Sequence, residues 1–172
     1  MATTQLSEQA RALVAAAVAT HTTIGTAESL TGGQVVSALV EIPGASEVVR
    51  GGVVSYAVDL KHDLLDVPQT ALDDPGPVSR TVATAMAQGA QGRLHVDLAL
   101  ATTGVAGPEP HGGQPVGTVW VSVAHEGGVW AREHHFDGDR QSVRERAAEA
   151  AMELAIGILE SPTRMLAWKS GT

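Results

Sequence analysis

The sequence predicts a three-layer α/β/α domain built on a mixed, mostly parallel central sheet with an antiparallel hairpin, and three features carry that prediction. The stretch Gly25-Thr26-Ala27-Glu28-Ser29-Leu30-Thr31-Gly32-Gly33 reads as a strand that breaks at a glycine hinge and opens a helix. The near-continuous apolar run over residues 94–101 reads as a strand buried on both faces. Residues 118–136 hold two apolar runs divided by Glu126-Gly127-Gly128, a hairpin signal.

The elements follow in order. Ser7 is placed to cap a first helix, with Ala10, Leu13, Val14 and Val18 at helical spacing on one face. Residues 22–27 read as the first strand, and residues 33–40 as a helix that Pro43-Gly44 ends. Residues 51–57, Gly-Gly-Val-Val-Ser-Tyr-Ala, make a second strand, so the chain opens on a βαβ unit with parallel strands. From 61 to 77 it is polar and proline-rich, which predicts a loop with at most a helical turn around 62–65. Ser79 caps a helix that carries Val82, Ala85, Met86 and Ala90 and stops near Gly92. After the buried strand comes Thr102-Thr103-Gly104-Val105-Ala106-Gly107-Pro108, a second glycine-broken segment. Ligands of open α/β sheets bind outside the carboxyl ends of strands, so the two breaks are placed to line one crevice. Residues 107–117 form a glycine- and proline-rich loop before the hairpin. Beyond Asp137-Gly138-Asp139 a long helix runs towards Glu160 with Val143, Ala147, Ala151, Leu154 and Ile158 down one side, and Ser161-Pro162 ends it.

Composition narrows the function. A chain of 172 residues fits one domain, with its core at about 5–160, and can bury a substantial interior. Hydrophobic residues are 44% and aromatic ones only 3%, so that interior is alanine, valine and leucine, which lets backbones approach closely. A formal net charge of −8 argues against nonspecific nucleic-acid binding, which needs a basic surface, yet leaves room for a small anion held by local arginines. With Cys 0 there is no disulfide framework, no thiolate nucleophile and no cysteine zinc site. The start Met1-Ala2-Thr3-Thr4-Gln5 lacks the basic residues of a secretory signal, and the apolar run at 13–19 is shorter than the roughly 20 residues of a membrane span. The expectation is a cytoplasmic protein with no membrane partner.

Few side chains are placed to do chemistry. Ser29 stands at the strand break, either as a nucleophile or as a helix cap. It lacks the Gly-x-Ser-x-Gly frame because Ala27 and Thr31 occupy the two glycine positions. Lys61 is conspicuous in a chain that prefers arginine, its only other lysine being Lys169. Desolvated beside the crevice, Lys61 is a candidate general base for Ser29; left in water, it is a surface charge. Tyr56, the only tyrosine, precedes it and is placed to relay a proton or orient the amine. Arg140 and Arg144, one helical turn apart, are spaced to converge on a phosphate or to sit solvated among Asp139, Glu145 and Glu149. The histidines give no metal spacing, although His62 and His111 are candidates to line the crevice. Neither a Walker loop nor a Gly-x-Gly-x-x-Gly fingerprint is present.

Taken in order, the segment 26–33, Pro43-Gly44-Ala45-Ser46, Gly51-Gly52-Val53-Val54-Ser55-Tyr56 with Lys61 beyond it, Val78-Ser79, the run 101–108, Pro115-Val116-Gly117-Thr118-Val119-Trp120 and Gly138-Asp139-Arg140 resemble the carboxy-terminal domain family of the competence- and damage-inducible protein CinA. Members include nicotinamide mononucleotide amidases. The resemblance implies a Ser-Lys mechanism without metal or cofactor, with Ser29 as nucleophile, Lys61 as base and Tyr56 nearby. It further implies an oxyanion held by backbone amides around Thr31, Gly32 and Gly33 or Thr102, Thr103 and Gly104, a small-molecule nucleotide substrate with Arg140 on its phosphate, and a homo-oligomer. Leu30 stands where many relatives have cysteine, Ala57-Val58 where Ser-Asn is usual, and Asp66 where glycine is common. A noncatalytic nucleotide-binding or regulatory module is the alternative.

Overall fold

The computed structural model describes residues 4–126 and 128–160, so the hairpin residue Gly127, the expected helix stop at Ser161-Pro162 and Lys169 lie outside the described residues. Its middle layer is a five-stranded sheet: β1 (Ile24–Glu28), β2 (Val49–Val54), β3 (Leu98–Gly104), β4 (Thr118–His125) and β5 (Gly128–His135), in spatial order β2-β1-β3-β4-β5. β1 pairs in parallel with β2 and β3, whereas β3 with β4 and β4 with β5 are antiparallel. β5 therefore runs with β1, β2 and β3, and β4 alone opposes them. Helices α1 (Gln5–Thr20), α2 (Gln34–Val40) and α6 (Arg140–Glu160) cover one face; α3 (Val58–Leu65), α4 (Gln69–Asp73) and α5 (Arg80–Leu94) cover the other.

Alternation along the central strands sorts side chains between two cores. Leu98 and Leu100 of β3 and Val119, Val121 and Val123 of β4 join α1, α2 and α6, while Ala99, Ala101 and Ala124 face α5. The small residues let α5 approach the sheet closely: a Cβ on Gly25 would stand 2.7 Å from Leu94 Cδ1 at the end of that helix. Among the described residues no helix is long and apolar enough to cross a membrane.

Several local expectations are corrected. Thr4, not Ser7, caps α1: its hydroxyl accepts the Ser7 N–H at 3.3 Å. Ser79 does cap α5, accepting the Val82 N–H at 3.2 Å. The segment 61–77, expected as a loop, folds into α3 and α4. Lys61 and Leu65 lie one turn apart and are both buried, so a lysine fills the position that helical periodicity gives to an apolar residue, and the pattern is invisible in sequence. β2 is Val49–Val54 rather than 51–57. β3 starts at Leu98 rather than 94, because α5 continues to Leu94 and His95 ends it in the left-handed region at φ 52. Its far end takes in Thr102, Thr103 and Gly104, which pair with β4.

Candidate active site

The two-residue period that sorts the cores also separates neighbours at the carboxyl ends of β1 and β3. Glu28 and Thr102 are register partners and face α2. Ser29, whose N–H still donates to the Thr102 carbonyl at 3.0 Å, turns the other way with Thr103, whose hydroxyl donates to the Pro77 carbonyl ahead of α5. On that side lies a cavity of about 510 Å³ whose walls include Ser29, Tyr56, Lys61, Thr103, Gly104 and Arg140.

Ser29 and Lys61 meet there. Lys61 Nζ lies 3.0 Å from Ser29 Oγ and also donates to the Ser55 carbonyl at 2.8 Å and the Tyr56 carbonyl at 3.5 Å. The lysine is only 2% exposed. Burial, which penalises the ammonium, draws its pKa down from the ordinary 10.5 to about 8, with the Asp59 charge working in the opposite direction. Once the amine is neutral, the two carbonyls take its two N–H groups and its lone pair faces the serine hydroxyl.

Glu28 shapes the turn that presents Ser29, and sequence reasoning missed it. Its carboxylate, 1% exposed, accepts from the Thr31 hydroxyl at 2.7 Å, from the N–H groups of Gly33, Val35 and Val36 at 2.9, 3.0 and 2.9 Å, and from the Thr26 hydroxyl at 3.1 Å. It satisfies the orphan amides at the start of α2 from beneath. Gly32 (φ 59) and Gly33 (φ 101) supply the left-handed backbone that brings these groups onto the carboxylate. The available signal was an acidic residue ending an apolar strand ahead of a glycine pair.

This arrangement divides the expected substrate-binding residues. The Thr31 and Thr102 hydroxyls share a 2.8 Å hydrogen bond, the Gly33 N–H is held by Glu28, and the Gly32 N–H donates to the Ser29 carbonyl at 3.1 Å. Thr31 and Thr102 thus lie buried behind the cavity wall and Gly32 and Gly33 lie outside its lining, whereas Thr103 and Gly104 are on it. Tyr56 gives Lys61 its carbonyl; its hydroxyl accepts from Arg140 at 2.8 Å and does not reach the amine. Arg140 also donates to the Gly107 carbonyl and so spans the cavity mouth. Arg144 does not converge with it. Its guanidinium donates to the carbonyls of Leu30 at 2.8 Å and Thr31 at 2.9 Å. His111 lines the cavity; His62 does not, its Nδ1 lying 2.8 Å from the Val67 carbonyl. Among the described residues no group of three or more His, Asp or Glu is arranged to hold a metal ion.

A three-layer α/β sandwich with a buried serine–lysine pair at the carboxyl ends of its parallel strands is the class that fold and site define. More narrowly, the chain belongs to the CinA C-terminal domain family, whose model matches residues 6–159. It is 43% identical over 147 residues to a putative competence-damage inducible protein of Lactiplantibacillus plantarum, covering 85% of this chain and 35% of that one. It is 46% identical over 137 residues to a CinA-like protein of Geobacter metallireducens, covering 78% and 33%. The chain therefore spans about a third of the length of these curated relatives. Among solved structures it resembles the competence/damage inducible protein CihA of Agrobacterium tumefaciens (TM-score 0.86, 36% identity, 91% and 96% of the two chains). It also resembles a CinA superfamily protein of Escherichia coli (TM-score 0.85, 33% identity, 91% and 93%).

Proposed function

We propose that this protein is an amidohydrolase that cleaves the carboxamide of nicotinamide mononucleotide to the acid and ammonia, using Ser29 as nucleophile and Lys61 as base. The carrying observation is the 3.0 Å contact between Ser29 Oγ and a buried amine whose pKa is drawn to about 8. At pH 7 about one molecule in ten then holds the amine neutral, which suffices for a general base matched to its task.

Ser29 Oγ attacks the amide carbon while its proton passes to Lys61 Nζ, and the carbonyl oxygen becomes an oxyanion. Collapse breaks the C–N bond as Lys61 returns the proton to the leaving nitrogen, releasing ammonia and leaving an ester on Ser29. A water enters, loses its proton to Lys61 and attacks the ester; Lys61 then reprotonates Ser29 as the acid departs. Every proton moves through one amine, so the route needs only the chain's own groups. Arg140, at the cavity mouth with Tyr56, supports the choice of an anionic nucleotide.

Ammonia release from nicotinamide mononucleotide by the purified protein tests this reading. Ser29→Ala and Lys61→Ala are each expected to lower kcat by about 10³-fold or more. Full activity in both variants would remove the dyad. Cleavage of a related amide but not of this nucleotide would preserve the mechanism and change the substrate.

A further inference from the structure

A serine hydrolase must hold the oxygen that becomes negative, and the structure narrows the donors by elimination. In the turn after Ser29, the Gly32 N–H is spent on the Ser29 carbonyl, the Gln34 N–H on the Thr31 carbonyl, and the N–H groups of Gly33, Val35 and Val36 on Glu28, while Thr31, whose N–H takes no protein acceptor among the described residues, is fully buried and does not line the cavity. The Ser29 N–H itself is committed to Thr102. Among the described residues no protein acceptor takes the N–H of Leu30, and Leu30 lines the cavity beside Ser29. The amide following a nucleophile is a common oxyanion donor in acyl transfer.

Behind that amide stands a charge the proposed mechanism does not use. Arg144 Nη2 donates to the Thr31 carbonyl at 2.9 Å; the same peptide unit ends in the Gly32 N–H, which donates to the Ser29 carbonyl at 3.1 Å; and that next peptide unit ends in the Leu30 N–H. In a planar trans peptide the carbonyl and the N–H point in opposite directions, so polarisation passes down the series from guanidinium to Leu30. Arg144 Nε, donating to the Leu30 carbonyl at 2.8 Å, pins the same residue from its other side. The arginine makes no ion pair among the described residues, so its charge is directed at these two carbonyls.

We propose that Arg144 is a positioning residue of the oxyanion hole: through two peptide units it orients and polarises the Leu30 N–H towards the oxygen that becomes negative. This rests on the acyl-transfer reading above. It predicts a contribution to the transition state and almost none to ground-state binding, because the amide meets full charge only after attack.

The test compares two ligands of one shape on the full chain. In the 3-formyl analogue of the nucleotide, Ser29 Oγ adds to the aldehyde carbon, the C=O π bond becomes an oxyanion and the hydroxyl proton goes to Lys61; the acid product makes no such adduct. In Arg144→Met the aldehyde is expected to bind at least tenfold more weakly and the acid within about twofold of wild type, with kcat down about tenfold to a hundredfold and KM little changed. Arg144→Lys, which keeps the charge but not the two-pronged grip, shows the same difference at threefold or more, and it carries the comparison if Arg144→Met does not fold. Equal weakening of both ligands, or of neither, overturns the inference. If wild type releases no ammonia and holds the aldehyde no tighter than the acid, the hydrolase reading fails and takes this inference with it; if wild type releases ammonia and holds the aldehyde tighter than the acid, only the Arg144 assignment is at stake.

Discussion

At the scale of single residues, the chemistry turns on which face of one strand end each side chain takes. Glu28 and Ser29 are adjacent in sequence, yet one turns under α2 to fix the turn and the other faces Lys61 across the cavity wall. Only the neutral amine can accept the serine proton, so kcat/KM is expected to rise with pH and level off above an apparent pKa of about 8, the value burial imposes on Lys61. A pH–rate profile of ammonia release from pH 6 to 10 checks this; a plateau already complete at pH 7 would mean that another group supplies the base.

At the scale of elements, α3 carries Lys61 and is held by α5. Gly89 of α5 sits against the carbonyl of Leu65 at the end of α3; a Cβ there would be 1.9 Å from that oxygen, a backbone atom that moves only if the helix does. Gly89→Ala is therefore expected to destabilise by about 1–3 kcal/mol, despite alanine's better helix propensity, and to lower activity by displacing Lys61. Gly92, one turn on, has nothing within 4 Å of such a Cβ, and Gly92→Ala is expected to stabilise by about 0.5–1 kcal/mol. Denaturant unfolding of the two variants should give opposite signs. The same elements show what a sequence conceals. The strand that delivers Ser29, the cap at Ser79, the hairpin and the long last helix announce themselves through periodicity and capping residues. α3 and α4 do not, because they have only 8 and 5 residues and a charged side chain occupies a core position of α3.

At the scale of the whole molecule, a buried amine costs stability. The unfolded chain keeps the ordinary Lys61 pKa of 10.5 and the folded one has about 8, so between these values the unfolded state binds more protons and folding stability rises with pH. Below pH 8 both states are protonated, and the native structure carries a buried charge at a cost on the order of 3 kcal/mol. Lys61→Met is thus expected to abolish ammonia release while raising unfolding stability at pH 7 by up to about 3 kcal/mol, an advantage that fades from pH 8 to 10.5. Chemical denaturation of both proteins at pH 7 and pH 10 measures it; a variant less stable at pH 7 would show that packing and hydrogen bonds at Lys61 outweigh the buried charge.

The sequence alone determined the α/β layering, the order of most elements, and Ser29 and Lys61 as a candidate pair, since hydrophobic period, glycine breaks and an ordered set of short motifs are local properties of the chain. Tertiary structure decided the rest. That Thr103 and Gly104 line the cavity while Thr31 and Thr102 stand behind it depends on the strand register. That the amides of α2 belong to Glu28, and that Arg144 holds the turn while Arg140 holds the mouth, depends on where α2 and α6 dock across the sheet. Partners 113 residues apart in the chain, as Arg144 and Thr31 are, leave no periodic trace in sequence, because only packing brings them within a hydrogen bond.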